Sequence, residues 1–262
     1  MLLTINANNT NIKFAAYDGD RQMGDWRIRT EAGRTADEYV VWLSQLMGLS
    51  GLKLSDIGDA IIATVVPRTL FDLRILCERH LHTKPLVVGE PGVELGIEVR
   101  MDMPAHEVGA DRLANAVGGH VLFRQPLIVL DFGTATTFDV VDGAGNYLGG
   151  VIAPGINLSL EALHGGTAQL PRIAVAPPRC AIGKDTLGAM QSGIFWGYVG
   201  LIEGVVGRIR AEAGEKLLVV ATGGLAPLFV GATQAIDKHE PEITMRGLVE
   251  IYRRNRGARQ HG

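Results

Sequence analysis

The chain has 262 residues, enough for two compact domains of ordinary size or one large one. With 47% hydrophobic and 20% charged residues it can fill a substantial core, which argues against global disorder. A formal net charge of −3 leaves no electrostatic footprint for nucleic acid.

The N-terminus, Met1-Leu2-Leu3-Thr4-Ile5, turns polar too soon for a secretory apolar region, and no apolar run approaches the ~20 residues of a membrane-spanning helix. Leu2–Ile5 reads as a strand, followed by the polar turn Asn6–Asn11, a second apolar strand and an Asp18-Gly19 turn. Helical periodicity marks Ala36–Gly48 and Thr69–His82, and the apolar runs Asp59–Val66 and Leu86–Val88 read as buried strands. Cys77 and Cys180 stand far apart, without a neighbouring Cys or close His, as reduced thiols do in a soluble cytoplasmic protein. A helix covers Leu113–Val117, with Gly109-Ala110-Asp111-Arg112 just before it.

The second half then repeats the opening. Leu127–Leu130 leads into Asp131-Phe132-Gly133-Thr134-Ala135-Thr136, an apolar stretch Phe138–Val141 and an Asp142-Gly143 turn. The offset is 125 from Asn6 to Asp131 and closes by one residue at the final turn. This predicts two duplicated α/β domains, with a boundary near 115–126 and a division into 1–118 and 119–262. Further on, Gly193, Gly197, Gly200, Gly204 and Gly207 share one helix face, which packs either on the sheet of its own domain or on the same helix of a second subunit. Leu217–Ala221 is a strand leading into Thr222-Gly223-Gly224, and Arg253, Arg254, Arg256 and Arg259 mark a solvated helix end.

Two polar turns after buried strands can each present backbone N–H groups to an anion such as phosphate, although each alone equally describes an ordinary hairpin. Asp131, a carboxylate ending a buried strand, suits a cation. Asp111 in a first helical turn is explained equally well as a capping residue or as a general base for an alcohol nucleophile.

The stretches Asn6–Lys13, Ala63-Thr64-Val65-Val66-Pro67, Glu107–Arg112, Asp131–Thr136, Ile182–Thr186, Thr222–Ala226 and Gly247-Leu248 follow the order and spacing of type III pantothenate kinases, which the chain resembles over residues 1 to 255. The resemblance implies an actin-like ATPase fold of two RNase H-like domains with an interdomain cleft, a homodimer, and ATP-dependent phosphorylation of pantothenate on the way to coenzyme A. By matching position, Asp111 is the proton acceptor, and Gly109, Ala110, Asp111, Arg112 and Thr186 contact pantothenate. Asn6, Ala7, Asn8, Asn9, Thr10, Asn11, Ile12, Lys13 and Thr134 bind ATP with Mg²⁺, and Asp131 holds a monovalent cation, K⁺ or NH₄⁺. The family's first loop begins Asp-x-Gly, where this chain has Asn6 and Asn8. That departure leaves as an alternative a paralogue that binds ligand but turns over poorly. Lys13 falls where an apolar residue is expected and is assigned to solvent. His106, in a one-residue extension before Glu107, is assigned to an exposed loop.

Overall fold

The computed structural model describes residues 1–167 and 170–259. In chain order the strands are β1 (Leu2–Ala7), β2 (Asn11–Asp18), β3 (Arg21–Arg29), β4 (Asp59–Thr64), β5 (Leu86–Val87), β6 (Leu127–Phe132), β7 (Ala135–Val141), β8 (Tyr147–Pro154), β9 (Leu218–Thr222) and β10 (Lys238–His239). The helices are α1 (Ala36–Leu49), α2 (Pro67–Ile75), α3 (Ala110–Phe123), α4 (Ile156–Gly165), α5 (Thr186–Ala213), α6 (Ala226–Phe229) and α7 (Ile243–Arg259).

The chain divides into two units. The first comprises Met1–Leu122 together with the segment from Glu242 onward, and the second comprises Phe123–Pro241. In the first unit the sheet order is β3-β2-β1-β4-β5, with β1–β2–β3 antiparallel and β4 and β5 parallel to β1. The second unit has β8-β7-β6-β9-β10 in the same sense, antiparallel on the β7 side and parallel on the β9 side. The sequence repeat is therefore a repeat of topology.

Alternation builds both cores. Leu3, Ile5, Ala7, Ile12 and Phe14 pack beneath α1 and α2, and Ile128, Leu130, Phe132 and Phe138 pack with Phe195, Tyr198 and Ile202 of α5. Helix starts follow local chemistry. Thr35 and Glu38 form a reciprocal capping box for α1, and Asp185 accepts from the Gly188 N–H at 2.6 Å to begin α5. Gly214, at φ 67°, ends α5.

Two differences from expectation stand out. The second predicted helix begins at Pro67, and beyond Ile75 its last turn widens until Leu81 N–H reaches Leu76 O; His82, at φ 53°, stops it. The final helix, expected in the 119–262 domain, belongs to the first unit and packs on β1 and β4. One of its arginines, Arg254, is less solvated than expected, while Arg253 is exposed as expected. Arg254 Nη1 donates to Leu95 O and Nε to Glu250, and Arg253 pairs with Asp20. Arg256 is exposed, while the Arg259 side chain lies outside the described residues.

Candidate functional site

The first turn closes the β1–β2 hairpin, with Asn6 opposite Lys13 and Ala7 opposite Ile12. Asn8 N–H donates to Asn11 O at 3.1 Å, and Thr30 braces the turn from outside, its hydroxyl donating to Asn8 O at 2.6 Å. Asn9, Thr10 and Asn11 are exposed. Asn6 is only 7% exposed. The Oδ1 atoms of Asn6 and Asn8 are both buried without a hydrogen-bond partner among the described residues. A buried acceptor left unmet costs about 1–3 kcal/mol, so this turn holds a standing demand for a hydrogen-bond donor or a cation.

Lys13 does not face solvent. Its Nζ lies 2.6 and 2.7 Å from the two carboxylate oxygens of Glu242 and 3.9 Å from Asp25. The strand register accounts for this. In the second hairpin Asp131 pairs with Thr137 and Phe132 with Thr136, so that turn is one residue tighter than the first. The repeat closes at the turn itself, and the counterpart of Lys13 is Thr137 rather than Phe138. A one-residue slip exchanges the two faces of a strand, so Lys13 sits on the polar face and Ile12 and Phe14 on the core face.

The second turn is built around glycines with no room for a side chain. A Cβ on Gly223 would lie 2.6 Å from both Asp131 Oδ1 and Phe132 O; Gly223 has φ 89° and directly follows Thr222, which pairs with Asp131. Two oxygens thus converge over this glycine, a donor set suited to a hard cation. A Cβ on Gly155, at the start of α4, would meet Thr134 O at 2.2 Å and Gly133 O at 2.7 Å. Thr134 itself is exposed. Thr136 is held on the core side by Tyr198, whose hydroxyl also donates to Pro154 O. Among the described residues no three His, Cys, Asp or Glu side chains cluster as a metal site.

In the first unit the family-like stretches meet. Val65 N–H donates to Ala7 O at 3.1 Å, carrying the first turn into the segment after β4. A Cβ on Gly109 would be 3.5 Å from Val65 Cγ1 and 2.8 Å from Asp111 Oδ1, so Gly109 joins that segment to the carboxylate. Asp111, half-buried in the first turn of α3, accepts from the Arg112 N–H at 2.8 Å, and Leu113 N–H reaches Gly109 O. Burial pushes the Asp111 carboxyl above the usual carboxylate range, against the opposing pull of Arg112. His106 is exposed, as expected. Thr186 opens α5 in the second unit and is exposed. The segment leading to it is fixed locally: a Cβ on Gly183 would meet Ala189 N at 2.2 Å, and Ser192 donates to Ala181 O.

Four contacts were not anticipated from the sequence. They are Gly155 against the second turn, Glu242 on Lys13, the 2.6 Å bond from Thr244 Oγ1 to Asn115 Oδ1, and the crossing of Gly118 with Gly247. Only Gly155 carries a local signal, as part of a Pro154-Gly155 turn pair.

Comparison with known proteins agrees with this geometry. A type III pantothenate kinase from Rhodospirillum rubrum is 61% identical over 255 residues, covering 97% of this chain and 99% of its own, and one from Paramagnetospirillum magneticum is 60% identical over 97% and 98%. Among solved structures, the activator of 2-hydroxyisocaproyl-CoA dehydratase from Clostridium difficile, with bound ADPNP, is similar at a TM-score of 0.57 and 11% identity, covering 100% of this chain and 97% of that one. The fold is thus that of actin-like ATPases and sugar kinases. The family model for type III pantothenate kinases matches residues 2–208, so both polar turns, the Gly109–Arg112 stretch and the start of α5 all fall within it, and the chain belongs to the type III pantothenate kinase family.

Proposed function

We propose that the chain transfers the γ-phosphoryl group of ATP to the primary hydroxyl of pantothenate, giving 4′-phosphopantothenate, the first step of coenzyme A synthesis. The observation that carries this reading is Asp111, a carboxylate raised by burial, on a helix N-terminus that borders the segment closing on the first turn. A carboxylate in that state is a better proton acceptor near neutral pH than an ordinary aspartate. As the hydroxyl oxygen bonds to the γ-phosphorus, the bond to the β–γ bridging oxygen breaks, ADP leaves, and the hydroxyl proton passes to Asp111. Gly109 and Ala110 offer backbone to the acceptor, and Thr186 a hydroxyl. Arg112 supplies a fork that matches the pantothenate carboxylate.

Residues Asn6 to Lys13 and Thr134 meet the nucleotide. The unpartnered oxygens of Asn6 and Asn8 fit the water shell of a divalent ion, which supplies charge neutralisation to the phosphates when bound. The oxygens of Asp131 and Phe132 over Gly223 fit K⁺ or NH₄⁺. The homodimer is supported by α5: a Cβ on Gly193, Gly197, Gly200 or Gly207 would meet nothing within 4 Å, so the glycine face does not pack on the sheet of its own unit. Among the described residues no helix is long and apolar enough to cross a membrane. We place the protein in the cytoplasm, with the coenzyme A synthesis it would serve. The weakened-paralogue alternative gains no support from relatives 60% and 61% identical that are named as kinases.

The test is ATP-dependent phosphorylation of pantothenate with Mg²⁺, with and without K⁺. Turnover that requires pantothenate and is lost in Asp111→Asn is the expected result. Asp111→Asn at near-normal rate removes the proton-acceptor assignment.

A further inference from the structure

Four contacts in the first unit converge on its last helix. At its start, Glu242 grips Lys13 directly across the hairpin from Asn6, and one turn on, Met245 receives the Thr4 hydroxyl at 3.5 Å. On its other side α7 crosses α3 with no side chain between them: a Cβ on Gly247 would lie 1.9 Å from Ala114 O, and one on Gly118 would lie 2.1 Å from Ile243 O. At that crossing Thr244 Oγ1 donates to Asn115 Oδ1 at 2.6 Å, and Asn115 is 1% exposed.

Asn115 stands four residues after Asp111, on the same face of α3. Asp111 is bonded within α3 itself, through the Arg112 N–H, so its carboxylate moves with the helix. A glycine crossing fixes how closely two helices approach, and the directional bond to the buried Asn115 amide adds an anchor one turn from Asp111.

We propose that α7 is a positioning strut that sets the carboxylate of Asp111 relative to the first turn, with the Thr244–Asn115 hydrogen bond as its decisive contact. Thr244 and Asn115 are positioning residues; neither touches the reacting atoms. The inference rests on the reading of Asp111 as proton acceptor.

The test compares Thr244→Val, which keeps the shape and loses the hydroxyl, with Thr244→Ser, which keeps the hydroxyl. Thr244→Ala is the second variant, removing the hydroxyl without leaving a methyl group against Asn115. Misplacement of a catalytic group by about 1 Å lowers rate by up to about a hundredfold. We expect kcat to fall at least about tenfold in Thr244→Val and Thr244→Ala, with KM for ATP within about twofold of the parent. Thr244→Ser should keep at least about half the parental rate, on the strength of the retained hydrogen bond. Parental kcat in either hydroxyl-free variant, a loss in Thr244→Ser as deep as in Thr244→Val, or a loss confined to KM overturns the proposal. Asp111→Asn is measured alongside. If it retains turnover, the proton-acceptor reading fails; if it is dead while Thr244→Val is unimpaired, only the strut fails.

Discussion

Asp111 is more difficult to ionise in the folded chain than in water because α3 and its surroundings desolvate it. A carboxyl whose folded pKa is raised contributes its full stability below the unfolded value of about 4, and that contribution is lost as pH rises through the folded value. At pH 8, well above the unfolded value, the cost of desolvating the carboxylate therefore opposes folding. Asp111→Asn removes the ionisation and should raise the melting temperature of the ligand-free protein at pH 8, by roughly 2–4 °C for each kcal/mol relieved, while leaving it unchanged below pH 4. Calorimetry at the two pH values decides this; a variant less stable than the parent at pH 8 would show that Asp111 acts mainly as a cap. Cys77 is the opposite kind of buried group. Burial pushes its thiol up to about 12, so it is an inert core residue.

At the scale of elements, helix α5 is the least explained by its own unit. Its 28 residues span about 42 Å, and residues 186–202 carry no charge. The five glycines on that face cost the helix roughly 1 kcal/mol each relative to alanine, which a monomer with that face open to water does not recover. The proposed helix–helix contact with a second copy would, and exposed Trp196, three residues from Gly193 and four from Gly200, adds apolar area to it. Gly200→Arg should convert the proposed dimer to a monomer in light scattering while leaving the far-UV circular dichroism intact; a variant that stays dimeric at the parental dissociation constant excludes this face as the contact. The elements also show what a single sequence makes legible. The strands at Asp59, Leu86, Leu127 and Leu218 and the helices at Ala36 and Thr186 follow from apolar period, capping residues and turn chemistry. Edge strand β3, whose segment Arg21–Arg29 mixes polar and apolar residues, is held by its pairing with β2 and carries no period of its own. Helix α7 has apolar residues at 245, 248, 249 and 252, so its existence was legible, but nothing in an amphipathic stripe says which sheet it will cover. That depends on Gly247 meeting Gly118, a contact between positions 129 residues apart.

Across the whole molecule, two copies of one hairpin have diverged in charge. The second turn presents the Asp131 carboxylate, while the first presents the amides of Asn6 and Asn8. The family resemblance made the position of both turns legible, and the strand that precedes each turn fixed which side chains sit there. Which face Lys13 takes was hidden, because turn length sets the parity of everything after it. In the proposed reading the first turn would offer a divalent ion's water shell only neutral acceptors, the amide oxygens of Asn6 and Asn8. Hydrogen bonds to a charged acceptor contribute about 1 kcal/mol more than those to a neutral one, so Asn6→Asp should tighten Mg²⁺–ADP about five- to tenfold. Metal-free ADP should bind no better to this variant, since a carboxylate there repels bare phosphate. Isothermal titration with and without Mg²⁺ separates the two. Equal gains for both ligands would mean that Asn6 acts on the nucleotide directly, and no gain for either would mean that the amide meets the demand of the turn as well as a carboxylate does.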